Sequence, residues 1–220
     1  IAIEPGVETV ALASFVPLSL TGYSRTNVIV PSHQPEPGSV DRVLANGVSN
    51  GYFDLMGVPI LEGRAFNTND TPEQPSVVVV NQAFAERYFA GQPILGRTFT
   101  LGQTEVVVVG LTRNGRYDYR DIDNANLPLV YYAWHQSPTD FVTIHVRTQR
   151  DPLSLTGRVR SIIREVDPNI VLLPPTTLRE ATGVPFAISR SALQVLSVLG
   201  LAALLLASMG LFSVMSYAVS

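Results

Sequence analysis

The spacing of hydrophobic positions changes several times along the chain, and each change marks an element. "VETVALAS" (7–14) follows a Pro-Gly turn and alternates well enough to predict a short strand. Residues 16–40 hold Pro17, Pro31, Pro35 and Pro37 among serines and glycines, and read as a long connection. "VLANGVS" (43–49) predicts a strand, and "GYFDLMG" (51–57) predicts one or two helical turns stopped by Gly57. "VPILEG" (58–63) resumes as a strand, which Pro59 assigns to a sheet edge.

The middle of the chain is patterned more strongly. Four valines at 77–80 predict a buried strand, and Asn81 is placed to cap the next helix. Phe84, Ala85, Tyr88 and Phe89 form the apolar stripe of that helix, and Gly91 ends it. "PILGRTF" (93–99) then echoes "PILEGRAF" (59–66). Both set glycine and arginine just ahead of a phenylalanine, as a tight turn does when it re-aims a strand with an inward aromatic.

"TEVVVVG" (104–110) predicts another buried strand, "LTRNGRYDYRDIDNANLP" (111–128) a polar loop, and "LVYYAW" (129–134) a strand. "FVTIHVRT" (141–148) alternates, with Val142, Ile144 and Val146 on one face. Asp151 caps a helix with Pro152 at its first position, and Leu155, Val159, Ile162, Ile163 and Val166 line one side of it. "NIVLLPP" (169–175) is expected as a strand. This strand–helix–strand unit resembles half of a ferredoxin-like fold, which the N-terminal strand would complete, leaving residues 41–135 as an inserted module.

The end of the chain has no such alternation. Residues 191–220 carry no charged side chain, and Gln194 and a few serines are the polar interruptions after Leu193. As a helix they would extend about 45 Å, more than a ~30 Å hydrocarbon core requires. A transmembrane helix over 191–220 is therefore expected. Ala203 and Ala207, with Gly200 and Gly210 outside them, would let another membrane helix approach closely, and Tyr217 suits the far interface. Arg179 and Arg190 precede the segment, and a count of positive charges alone would put that side in the cytoplasm. The chain begins at Ile1 and stops within the apolar run, and is read as a piece of a longer protein.

Composition changes this picture little. The net charge is −3 and no basic cluster is present, which argues against a nucleic-acid partner. All 15 basic residues are arginine, a bias expected of a GC-rich genome. Mean hydropathy is +0.22, with the excess concentrated in the tail. There are 0 cysteines, so disulfides, thiolate metal sites and cysteine nucleophiles are excluded.

Candidate chemistry is sparse. His33, His135 and His145 have no partner at metal-ligand spacing, and surface or packing roles are expected. Asp118, Asp121 and Asp123 fail the calcium-loop pattern, with no closing glutamate and with Arg116 and Arg120 intruding, and are read as part of a solvated loop. No serine lies in a G-x-S-x-G elbow, and a phosphate-cradling loop ending in Gly-Lys is impossible without lysine. Arg64 and Arg97 are read as packing turns or forming ion pairs in preference to binding an anion, and Phe53, Leu55 and Met56 as a core or interface cluster in preference to a ligand pocket. No catalytic, cofactor-binding or metal residue is expected.

Four phrases carry a family resemblance: "PGVETVALASFVPLS", "VSNGYFDLMGVPILEGRAF", "VVVVNQAFAERYFAGQPILGRTF" and "REVDPNI". In order, they resemble the successive signatures of the MacB-like periplasmic core domain. The uncharged tail resembles the start of the FtsX-like permease segment that follows it. In detail the chain resembles the duplicated permeases common in acidobacteria. The resemblance implies an α+β fold: a porter-like split β-α-β subdomain (about 1–40 and 136–185) and an inserted mixed, strand-rich subdomain (about 41–135). Together these make an extracytoplasmic core over 1–190, followed by the transmembrane helix.

The same resemblance implies a non-catalytic part of a type VII ABC transporter permease in the bacterial inner membrane, its main domain periplasmic. The helix near Leu193 would then lead back toward the cytoplasm, against the arginine count. Expected partners are an ABC ATPase subunit, a second permease copy or paralogue, the lipid bilayer and a periplasmic adaptor; no cofactor is expected. The alternative is a membrane-anchored sensor or ligand-binding module, which would enclose a polar pocket within one domain.

Overall fold

The computed structural model describes residues 5–19, 23–35, 38–118, 124 and 126–183, together with positions 197, 199, 200, 203, 204 and 207. Its elements are β1 (Val7–Ala13), β2 (Ser24–Ile29), β3 (Arg42–Val48), α1 (Tyr52–Met56), β4 (Ile60–Gly63), β5 (Val77–Asn81), α2 (Gln82–Phe89), β6 (Thr98–Leu101), β7 (Thr104–Thr112), β8 (Leu129–Ala133), β9 (Thr143–Thr148) and α3 (Thr156–Val166). The fold is mixed α+β, as expected.

Six strands close on themselves. β2 pairs β6, β6 pairs β7, β7 pairs β5, β5 pairs β8, β8 pairs β3, and β3 returns to β2. Closure removes the open edges that a flat sheet of this size would expose. Most contacts are antiparallel, whereas β5–β7 and β3–β8 are parallel and need crossovers. β1 and β9 form an antiparallel pair that joins the ring at one point, where Ala13 meets Val48.

Alternation along the ring strands separates two cores. Val28, Val43, Val78, Val80, Phe99, Val106, Val108 and Val130 draw on all six ring strands and form the inner core, onto which α2 adds Phe84, Tyr88 and Phe89. Val77 and Val79 point the other way, into a second core with Ala11, Ala13, Leu44, Val48, Leu129, Tyr131 and the α1 residues Tyr52, Phe53 and Leu55. The valine run of β5 is thus buried on both faces, which is why its pattern is continuous and not alternating.

The two echoing phrases meet on one strand. β6 and β4 lie end to end along the same edge of β7, pairing with its first and last residues respectively. At the handover, Gly96 N–H donates to Val108 O and Arg64 N–H to Val109 O. Phe66 and Phe99 are both buried, as the turn reading expects, although Phe66 lies just beyond β4.

Three expectations are corrected. The connection over 16–40 contains β2, which completes the ring between β3 and β6. Of its six residues only Val28 is buried, so the segment lacks the alternation that marks a strand. Second, 169–175 contains no strand; Ile170, Val171 and Leu173 are exposed, and the free edge of β9 has no partner among the described residues. An apolar run becomes a strand only where a neighbour accepts its backbone hydrogen bonds. The expected β-α-β unit is present here as β9 and α3. Third, Ile144 and Val146 do share a face of β9, but the residue turned into the core is His145.

Asn81 accepts from Phe84 N–H and caps α2 as expected, while Ala90, ahead of Gly91, takes the left-handed position at its end. Asp151 likewise accepts from Leu153 N–H, ahead of a short 3-10 turn over Pro152–Leu155 that precedes α3, but a further cap was not foreseen. Thr177 and Glu180 bond each other's backbone N–H groups reciprocally, opening a helix at residue 178. Most of the transmembrane helix expected over 191–220 lies outside the described residues. Among the described residues no helix is long and apolar enough to cross a membrane.

Candidate functional site

The ring and the β1–β9 pair meet at a joint crossed by several side-chain hydrogen bonds. β3 gives its outer edge first to β2 and then, at its end, to β1. Side chains complete the ladder where the two strands part. The Asn46 amide, fully buried, accepts from Phe15 N–H at 3.3 Å and donates to Phe15 O at 3.4 Å. Ser49 Oγ accepts from Leu12 N–H at 2.8 Å, and Ser49 N–H donates to Leu12 O at 3.0 Å. Between them Ser14 N–H donates to Gly47 O at 2.9 Å. Gly47 leaves room for Tyr132, whose ring stands 2.5 Å from where a Cβ would be built.

α1 sits over this joint. Gly51 and Gly57 end it in left-handed conformations, so its five residues form one tight unit. Tyr52 stacks tilted on Tyr131 at 6.0 Å, and Tyr131 hydroxyl donates to Tyr117 hydroxyl at 3.4 Å. Burial raises the pKa of all three phenols, which are therefore neutral at physiological pH. They fill space and carry no charge. From β9, Arg147 donates to Leu55 O and His145 meets Tyr52 edge-on at 6.0 Å, holding α1 against the β1–β9 pair.

The residues weighed from the sequence are scattered around this joint. His33 pairs with Asp41, which also binds Arg87, and His33 stands edge-on to Tyr88. His135 is exposed beside Trp134. Asp118 is not solvated as the loop reading expects but buried, where it accepts from Tyr23 hydroxyl, while Asp121 and Asp123 lie outside the described residues. Among the described residues no three acidic or histidine side chains are grouped to hold a metal. Phe53 and Leu55 are buried, and Met56 packs half-buried against them; they are core.

Both arginines tie turns. Arg97 bonds Pro93 O and Gln92 Oε1, and Arg64 bonds Ala65 O and both carboxylate oxygens of Asp70, each at 2.8 Å. Burial pushes the Asp70 carboxyl up, but the two Arg64 hydrogen bonds and Asn67 N–H outweigh it and leave the pKa below its ordinary 3.8. The pair therefore contributes stability above that value and loses it as pH falls through the lowered one. Asp70→Asn should cost about 1–3 kcal/mol at neutral pH. Urea unfolding curves of the variant and the parent chain should converge toward pH 2; a gap that persists in acid would show that the carboxylate charge is not its source.

The fold and sequence both have relatives. The model of the MacB-like periplasmic core domain family matches residues 2–177. A macrolide export ATP-binding/permease protein MacB of Neisseria gonorrhoeae is 26% identical over 106 residues, covering 46% of this chain and 16% of that protein. A probable export ATP-binding/permease protein MacB of Pseudomonas entomophila is 32% identical over 114 residues, covering 50% and 17%. The matched part is thus about a sixth of the length of these curated relatives. Among solved structures, the periplasmic region of MacB from Actinobacillus actinomycetemcomitans superposes with a TM-score of 0.54 at 14% identity, covering 75% of this chain and 70% of that one. The extracellular domain of the noncanonic ABC-type transporter YknZ from Gram-positive bacteria gives 0.52 at 17% identity, covering 75% and 79%.

Proposed function

This chain belongs to the MacB-like periplasmic core domain family, and on that premise we propose that it is the extracytoplasmic domain and first following membrane helix of an ABC transporter permease subunit. In this reading the chain hydrolyses nothing. A separate ATPase domain or subunit supplies the motion, a second permease copy or paralogue completes the dimer, and the joint between ring and β1–β9 pair passes displacement outward. The observation that carries the reading is the family match across residues 2–177, which spans both the ring and the β1–β9 pair.

Local features support the mechanical role. The joint is built from side-chain hydrogen bonds, glycines and neutral phenols, a combination suited to fixing two layers at one angle and not to proton or group transfer. The core occupies 1–190, with porter-like portions near each end and the ring between. Thr177 and Glu180 cap a helix that opens at residue 178, and positions 197, 199, 200, 203, 204 and 207 have helical backbone. This supports a membrane helix over 191–220, in the inner membrane with the core on its outer side. A periplasmic adaptor is a further partner in this reading.

The full-length protein, expressed with its neighbouring ATPase gene and solubilised in detergent, should co-purify with an ATP-hydrolysing subunit. A distance between labels on the cores of two copies should change on ATP binding. Extraction of the full-length protein from membranes by alkaline carbonate without detergent would overturn the membrane part. Label distances indifferent to nucleotide would overturn the coupling.

A further inference from the structure

The contact between α1 and β9 contains a buried titratable group, His145. His145 is 9% exposed, and its Nε2 is buried with no hydrogen-bond partner among the described residues. Its ring stands edge-on to Tyr52 of α1, centroids 6.0 Å apart at 73°. Two residues along the same face of β9, Arg147 donates to Leu55 O, also of α1. Both attachments of α1 to β9 therefore come from adjacent positions on one strand face, and one of them is already cationic.

We propose that this contact is an acid-sensitive latch: with His145 neutral, α1 is held on the β1–β9 pair, and protonation of the imidazole releases α1 from β9 while the ring stays closed.

Among the described residues, no opposite charge faces the imidazolium. On α1 the facing titratable group is the Tyr52 phenol, and Asp54 is exposed. On β1 the residue opposite is Ala11, and Glu8 is exposed and accepts from Gln149. From β8, Tyr131 reaches the site only through Tyr52. On β9 the neighbour is Arg147, whose guanidinium repels a second positive charge. No carboxylate among the described residues pairs with the ring. The Tyr52 face attracts a cation weakly, but the buried nitrogen would lose its hydration altogether, and that loss dominates.

Burial accordingly lowers the pKa of His145 below its ordinary 6.5. The unfolded or released state binds a proton more readily than the latched one. The latch is thus at full strength above the ordinary value and weakens as pH falls below it, down to the lowered value. An extracytoplasmic domain would meet such pH changes directly.

The test uses the full chain in detergent micelles, with histidines isotopically labelled and amide exchange followed from pH 7.5 to 4.5. The His145 resonance should titrate below 6.5. Over the same range, exchange of α1 and β9 amides, corrected for intrinsic rates, should rise about tenfold or more while β5 and β7 stay protected. His145→Phe should abolish the rise, whereas His33→Gln and His135→Gln should leave it in place. Titration of His145 with no change at α1 and β9, or an unchanged rise in His145→Phe, would overturn the latch. The titration of the unsubstituted chain decides alone should His145→Phe fail to fold.

Discussion

Alanine at Gly63 should lower the melting temperature by about 10 °C, whereas alanine at Gly96 should lower it by less than half as much. Both glycines precede an arginine in the echoing phrases, and both have left-handed backbone, φ 73° and 76°. Conformational strain is therefore equal, about 1–2 kcal/mol in each variant. The surroundings differ. A Cβ on Gly63 would stand 2.2 Å from Val109 O and 2.8 Å from a Leu95 methyl, but on Gly96 it meets nothing within 4 Å.

The Val109 carbonyl accepts from Arg64 N–H and cannot retreat without opening the β4–β7 pairing. Overpacking of this kind costs about 1–3 kcal/mol, which brings Gly63→Ala to roughly 3 kcal/mol. At about 2–4 °C per kcal/mol for a domain of this size, the expected shift follows. Thermal unfolding of both variants against the parent chain measures it. Equal shifts would mean that the close approach of β4 to β7 is not what requires a glycine.

That contrast also shows how far the sequence could be read. The repeated Gly-Arg-x-Phe signal located two turns and two buried aromatics, because turn chemistry is local. It could not show that both turns serve one strand, since β7 follows them in the chain and brings them together only through pairing. The same divide runs through the rest of the fold. β5 and α2 were legible from a valine run and a capping asparagine. β2 was not, because "SRTNVI" carries one buried residue and owes its conformation to β3 and β6. The reading of 169–175 failed in the opposite direction, since an apolar run reports a need for burial and not the presence of a partner. The joint was invisible for a related reason: Asn46, Ser49 and Gly47 look like ordinary small polar residues within a strand. Only the departure of β1 from β3 turns them into substitutes for a ladder.

Asn81 joins the two parts of this divide, and Asn81→Ala should be among the most damaging single substitutions in the ring. Read from the pattern alone it has one task, as a cap; in the structure it has three. Its Oδ1 accepts from Phe84 N–H at 3.0 Å and from Leu129 N–H at 2.9 Å, and its Nδ2 donates to Leu127 O at 2.9 Å. The residue is fully buried, so water cannot replace it. Loss of the cap costs about 1 kcal/mol, and each further buried backbone group left without a partner about 1–3 kcal/mol. The expected total is about 3–7 kcal/mol, a large share of the ~5–15 kcal/mol typical of a folded domain. Asn81→Ser separates the tasks. A serine hydroxyl restores the cap but is too short to reach β8 and the residues before it, so it should recover only about 1 kcal/mol. Urea unfolding of the two variants tests this, with amide exchange at Leu129 as the local readout. Full recovery by serine would reduce Asn81 to a helix cap and remove its role in locking β8 beside β5.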